Sequence, residues 1–207
     1  MRNMGCEDFS KAMGVKEEMN AEAEITDIQR FSVHDGTGIR TLVFFKGCPL
    51  RCIWCHNPET QRKQPQLFCI ESKCIHCGAC ILACPKQAVS VKGEEIVTDR
   101  TRCVECGECV KVCFSGARKI VGRKYTVEEV IEKVLQDEVF YKYSGGGVTL
   151  SGGDPVAHIE FACELLLRLK QLGIHTAIET CGVCCEEDFT RLLENVDYFR
   201  EFCDFER

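Results

Sequence analysis

Cys48, Cys52 and Cys55 stand in the stretch Gly47-Cys48-Pro49-Leu50-Arg51-Cys52-Ile53-Trp54-Cys55-His56-Asn57-Pro58, spaced Cys-x3-Cys-x2-Cys. A four-iron cluster is normally held by four thiolates. Three close cysteines with no obvious fourth therefore point to an iron left free for a substrate or cofactor, much as a catalytic zinc site keeps one position open. On spacing alone two other readings stand, a zinc site completed by His56 and a set of three buried cysteines.

A repeated pattern follows. Cys74, Cys77, Cys80 and Cys84, with Pro85 next, form Cys-x2-Cys-x2-Cys-x3-Cys-Pro, and Cys103, Cys106, Cys109 and Cys113 repeat the spacing 29 residues later. In the bacterial two-cluster ferredoxin run the fourth cysteine of each set ligates the other cluster. The spacing thus predicts one cube on Cys74, Cys77, Cys80 and Cys113, and another on Cys103, Cys106, Cys109 and Cys84. A pair of zinc sites is the alternative, but zinc knuckles have no use for the third and fourth cysteines at this spacing. Phe114 replaces the proline usual after the second run, which alters loop geometry and no ligand.

The elements that must hold these cysteines are legible in the apolar pattern. Thr41-Leu42-Val43-Phe44-Phe45 is a short continuous apolar run of the kind found in buried parallel strands, and Gly47 ends it just before Cys48. Val148-Thr149-Leu150 runs into Ser151-Gly152-Gly153-Asp154, and Ile174 to Ile178 runs into Glu179-Thr180. Between them, Thr126 and Glu129 form a capping box ahead of an apolar stripe at Val127, Val130, Ile131, Val134 and Leu135. A second helical stripe runs from Ile159 through Leu169 to a stop at Gly173. Strands alternating with helices predict a parallel α/β layout with its chemistry at the carboxyl ends of the strands. Gly152 and Gly153 allow backbone to approach a ligand; the plainer alternative is a glycine turn with Asp154 as a helix N-cap.

Composition bounds the rest. The chain has 207 residues, 18 of them cysteine, and a net charge of −6. A chain this long buries a normal core, so disulfides are not needed for stability. Residues 1–20 are polar and charged without an apolar signal-peptide core, which predicts a cytoplasmic, reducing location. No run of 18 apolar residues predicts a membrane span, and the acidic balance argues against a nucleic-acid partner.

From Asp27 to Val196 the chain resembles the activating enzymes of glycyl radical enzymes, a radical S-adenosylmethionine (SAM) family that includes the pyruvate formate-lyase activase. The resemblance lies in FSVHDGTGIRTLVFFKGCPLRCIWCHNPE at 31–59, YSGGGVTLSGGDP at 143–155 and GIHTAIETCG at 173–182. It implies a partial (β/α) barrel over 25–66 and 122–207, a ferredoxin-like insert over 67–121 and an N-terminal extension over 1–24. It implies three [4Fe-4S] clusters and SAM, chelated at the open iron of the cluster on Cys48, Cys52 and Cys55. Backbone of Ser151, Gly152 and Gly153 and the carboxylate of Asp154 would take the SAM amino group, where the family usually has the longer glutamate. Trp54, Cys55 and His56 would meet the adenine, and Glu179 and Thr180 the SAM pocket and a nearby cation. Asp35 lies in a segment that is near the site in the family, facing the partner's glycyl loop or shaping a turn.

The reaction so implied is reductive. Flavodoxin or ferredoxin passes one electron, through the insert, to the SAM cluster; SAM is cleaved to methionine and a 5′-deoxyadenosyl radical, which takes hydrogen from a glycine of the partner enzyme. No side chain need act as acid or base. Past Val196-Asp197-Tyr198-Phe199, residues 200–207 leave the family pattern, so the sequence predicts a shortened barrel that binds its clusters and activates a partner poorly or not at all. Two other readings remain: an electron carrier in which only the insert works, and a radical SAM enzyme acting on a small molecule. Cys6, Cys69, Cys163, Cys181, Cys184, Cys185 and Cys203 fall outside all three clusters.

Overall fold

The structure, a computed structural model, describes residues 21–201. Cys6, Cys203 and most of the segment that leaves the family pattern lie outside the described residues.

One six-stranded sheet dominates. It contains β1 (Glu22–Ser32), β2 (Arg40–Phe45), β7 (Arg123–Thr126), β8 (Gly147–Gly152), β9 (His175–Thr180) and β10 (Tyr198–Glu201), in the order β10-β9-β8-β2-β1-β7. Strands β2, β8, β9 and β10 run parallel, while β1 is antiparallel to β2 and β7 is antiparallel to β1. The parallel part is the layout predicted from the apolar runs. The antiparallel edge is a departure from the all-parallel expectation. Its cause lies in β1, whose polar, charged sequence EAEITDIQRFS faces solvent over much of its length, as strands of a half-exposed antiparallel pair do.

Alternation sorts the side chains of the parallel strands to two faces. Val43, Phe45, Val148, Leu150 and Ile178 turn to a core shared with α3 (Val127–Val134) and α5 (Ile159–Gln171), which supply Val130, Val134, Leu165 and Leu169, all fully buried. Thr126 caps α3 through a complete capping box with Glu129. Leu42, Phe44, Ser151 and Glu179 turn the other way, toward an open cavity.

Between β2 and β7 the chain makes a separate small module. It comprises β3 (Gln66–Cys69) paired antiparallel with β6 (Arg118–Val121), the hairpin β4 (Val89–Lys92) and β5 (Glu95–Thr98), and two single-turn helices, α1 (Ala79–Leu82) and α2 (Glu108–Lys111). The 29-residue repeat reappears in the backbone. His76, Gly78 and Gln87 have positive φ of 54°, 73° and 49°, and their counterparts Glu105, Gly107 and Gly116 have 55°, 79° and 66°. Left-handed backbone at a non-glycine residue costs roughly 1–2 kcal/mol. Two loops that repeat it at matched positions wrap in the same way, and a shared ligand geometry gives them a reason to.

One polar network, centred on the buried Asp137 and Thr41, ties β1 and β2 to the helices beside them. Asp137, fully buried between α3 and α4 (Glu138–Ser144), accepts from Arg30 Nε of β1 at 2.7 Å and from Thr41 Oγ1 of β2 at 3.0 Å. Tyr141 donates to the same Thr41 hydroxyl at 2.6 Å, and burial pushes its phenol up to about 12. The bonds from Arg30 hold the Asp137 carboxyl below its usual range despite its burial. A carboxylate so depressed stabilises the fold above the unfolded-state pKa, and that contribution disappears as pH falls through the folded one. Asp137→Asn is expected to cost about 1–3 kcal/mol at pH 7 and progressively less below about pH 4. Urea unfolding of the two chains at matched iron content checks this.

Candidate functional site

The carboxyl ends of β2, β8 and β9 meet at a tight crossing. Gly47, where the chain leaves β2, donates its N–H to Thr60 O at 2.6 Å and accepts at its carbonyl from Asp154 N at 2.7 Å. Gly153 N donates to Phe45 O at 2.8 Å. A Cβ on Gly153 would lie 2.3 Å from the Gly47 carbonyl oxygen, and one on Gly152 would lie 2.5 Å from Phe45 N. The two glycines at the end of β8 are thus required by close backbone contact with β2. That contact fixes where the loop bearing Cys48, Cys52 and Cys55 begins.

These three cysteines line one cavity of about 720 Å³ on the open face of the sheet. Trp54, His56, Asp35, Ser151, Gly152, Gly153, Glu179 and Thr180 line it too. Trp54 is 71% exposed, its ring free to cover a ligand. The Leu50 N–H points at Cys48 Sγ at 3.4 Å, a backbone donor of the kind that stabilises thiolate. Burial pushes the Cys48 thiol up, the Leu50 bond opposing it. Asp35 is held by Ser32, and its carbonyl accepts from Thr149 Oγ1 at 3.1 Å, so it both shapes its loop and faces the cavity.

Two carboxylates behave differently. Asp154, expected from the sequence at the SAM amino group, is 1% exposed and does not line the cavity. One of its oxygens accepts from Thr180 Oγ1 at 2.7 Å and from Val156 N at 3.0 Å; the other accepts from Cys181 N at 2.7 Å. It caps the short 3-10 turn at Pro155–His158 and clamps the end of β9 to the end of β8. Three donors, Val156 N, Thr180 Oγ1 and Cys181 N, occupy the carboxylate. Glu179 does line the cavity. Ser151 Oγ donates to its Oε2 at 2.6 Å, while its Oε1 is buried with no hydrogen bond and has Arg200 at 3.6 Å. Burial raises its pKa, against the lowering effects of Ser151 and of the Arg200 and Arg40 charges. Arg40, fully buried at the near end of β2, donates to Thr149 Oγ1 at 2.6 Å and Val148 O at 2.7 Å.

The sequence reading had no role for Cys181. Its sulfur lies with Cys48 Sγ and an Asp154 oxygen in one group, all within 4.8 Å of one another. Burial, followed by a hydrogen bond to Asp154, pushes the Cys181 thiol far up. The sequence signal was only its place directly after Glu179-Thr180.

In the insert, Cys84, Cys103, Cys106 and Cys109 line one small cavity, the set that the crossed ligation pattern joins. Cys80 and Cys109 are buried, whereas Cys77 and Cys106 are exposed. The Ala88 N–H donates to Cys84 Sγ at 3.2 Å and, first among several backbone donors, lowers that thiol. Lys46 ties this module to the loop that follows β2. It is fully buried, and its Nζ donates to Glu59 O at 2.6 Å and to Gln66 Oε1 at 2.9 Å. Asp154→Ala would strand the Cys181 N–H and the Thr180 hydroxyl in a buried site, and is expected to cost about 2–4 kcal/mol in urea unfolding.

A family model described as a 4Fe-4S dicluster domain matches residues 73–117. Among curated proteins the chain is 50% identical over 177 residues to the trans-4-hydroxy-L-proline dehydratase activating enzyme of Clostridioides difficile, a match covering 84% of this chain and 58% of that one. It is 45% identical over 181 residues to the choline trimethylamine-lyase activating enzyme of Oleidesulfovibrio alaskensis, covering 86% of this chain and 58% of the relative. With the benzylsuccinate synthase activating enzyme of Thauera aromatica it shares 51% over 161 residues, 75% of this chain and 49% of that one. The chain therefore spans about half to three-fifths of the length of these relatives. It is homologous to the activating enzymes of glycyl radical enzymes and carries within it a 4Fe-4S dicluster domain.

Proposed function

We propose that this chain activates a glycyl radical enzyme by reductive cleavage of SAM. One observation carries the reading: a single cavity holds Cys48, Cys52 and Cys55 together with the ends of β8 and β9. The residues fit both groups. Three thiols on one loop, one of them met by a backbone N–H, suit a cube with an iron left open. The Glu179 Oε1, buried without a hydrogen bond and 3.6 Å from Arg200, and the backbone of Ser151, Gly152 and Gly153 on the cavity wall suit an ammonium. A cluster held by Cys48, Cys52 and Cys55 would supply the one electron needed to cleave a sulfonium C–S bond of SAM, the chemistry that abstraction of hydrogen from a partner glycine requires.

The chain's own residues orient and enclose. Cys48, Cys52 and Cys55 hold the iron; backbone at Ser151–Gly153 and the carboxylate of Glu179 take the SAM amino group; Trp54 and His56 cover the adenine. Asp154 acts one step back, fixing Thr180 and Cys181. The sheet is then the first part of a radical SAM (β/α) barrel, cavity side inward. In the insert, Cys74, Cys77, Cys80 and Cys113 hold one cube and Cys103, Cys106, Cys109 and Cys84 the other, which makes three clusters. Flavodoxin or ferredoxin is the electron donor, in the cytoplasm. Among the described residues no helix is long and apolar enough to cross a membrane. The relatives are named for a dehydratase, a lyase and a synthase, so the particular partner is not assigned.

Reconstituted without oxygen and given dithionite and SAM, the chain is expected to release 5′-deoxyadenosine, measured by chromatography. Cys55→Ala is expected to abolish the release while the insert keeps its iron, and Gly153→Ala to reduce it by at least roughly tenfold by displacing the loop. A fully iron-loaded chain that neither binds nor cleaves SAM would leave the insert as an electron carrier and reject this reading.

A further inference from the structure

The insert encloses a permanent positive charge. Arg118, the first residue of β6, is 5% exposed and stands opposite Cys69 of β3. Its Nη1 donates to Thr98 Oγ1 at 3.0 Å and lies 4.0 Å from Cys109 Sγ. Burial works to lower the guanidinium's pKa, and Cys69, Cys80 and Cys109 work to raise it. Among the described residues no carboxylate forms an ion pair with it. Cys80 and Cys109, 8% and 7% exposed, are the two buried cysteines of the insert. In the crossed ligation pattern they belong to different cubes.

A guanidinium keeps its proton in proteins, so this charge cannot be relieved by deprotonation. Sealing it away from water without a carboxylate is unfavourable unless another anion stands beside it. Two thiolate-ligated clusters are such anions, and each gains one further negative charge on reduction. A buried cation at this range acts with little screening and favours the more negative, reduced form. Cluster net charge and hydrogen bonds to the sulfurs are the levers by which a protein sets such potentials.

We propose that Arg118 is the tuning residue of the insert: with its Nη1 4.0 Å from Cys109 Sγ, it raises the reduction potential of the cube that Cys109 ligates, so that an incoming electron rests on the insert before the cluster at Cys48, Cys52 and Cys55 takes it. This rests on the reading of the insert as a two-cluster module. Arg118 touches no substrate and acts only through the clusters.

The test is a redox titration of the full chain carrying Cys48→Ala, Cys52→Ala and Cys55→Ala, so that only the insert responds, followed by electron paramagnetic resonance. Arg118→Gln is expected to make reduction at least tenfold less favourable, a fall of 59 mV or more for a one-electron couple, with iron content unchanged. Arg118→Lys, which keeps the charge, is expected to recover most of that shift. Where Arg118→Gln fails to hold iron, Thr98→Asp takes its place: it sets a carboxylate beside the guanidinium and offsets its field, with a fall in the same direction expected. Unchanged potentials in the variant that retains its iron would overturn the proposal. A parent chain holding well under about eight irons would instead reject the two-cube reading beneath it.

Discussion

The close backbone crossing of Gly153 over Gly47 is the constraint on which the rest of the structure depends. Three strands end side by side, and no side chain separates the exit of β2 from the exit of β8. Asp154 then extends the contact to β9 through Thr180 and Cys181. The loop with Cys48, Cys52 and Cys55 springs from this point, so its cysteines arrive in register with the glycines and with Glu179. The core on the opposite face of the sheet, packed by α3 and α5, holds the strands that make the crossing possible.

The position of charge follows the same logic of enclosure. Arg40, Lys46 and Arg118 are all buried, and each donates to neutral oxygens. Buried charges need partners or they destabilise. Arg40 and Lys46 flank the cavity-bearing strand at its two ends, and Arg118 lies among the insert cysteines. Under the proposed function Arg118 would face an anionic cluster of the insert, and the acidic Glu179, on the cavity wall, would face the cationic end of SAM.

Much of this was legible in residue types and spacing. The insert could be read because cluster ligation imposes fixed intervals that other folds have no reason to repeat, and the backbone carries the same repeat in its left-handed positions. β2 could be read because burial along its length leaves Leu42-Val43-Phe44-Phe45 continuously apolar, and β8 and β9 because short apolar runs lead into Ser151-Gly152-Gly153 and Glu179-Thr180. β1 escaped because its polar alternation is a weak signal and its pairing with β2 and β7 is fixed by tertiary contacts. The family resemblance set Asp154 against a ligand, while its local pattern also allowed a helix N-cap, and in the structure it caps the turn at Pro155–His158. Which way a carboxylate turns depends on donors at Thr180 and Cys181, distant in sequence, and no local pattern reports them. Cys181, Lys46 and Arg118 were missed for the same reason.

The central claim is that the three thiolates of Cys48, Cys52 and Cys55 leave an iron that SAM can reach across the cavity. Electron paramagnetic resonance of the reduced, reconstituted chain, recorded with and without SAM, tests it most directly. The account predicts that SAM changes the signal of that cluster and that the change is lost in Cys55→Ala. A spectrum indifferent to SAM, in a chain carrying its full iron at Cys48, Cys52 and Cys55, would contradict it.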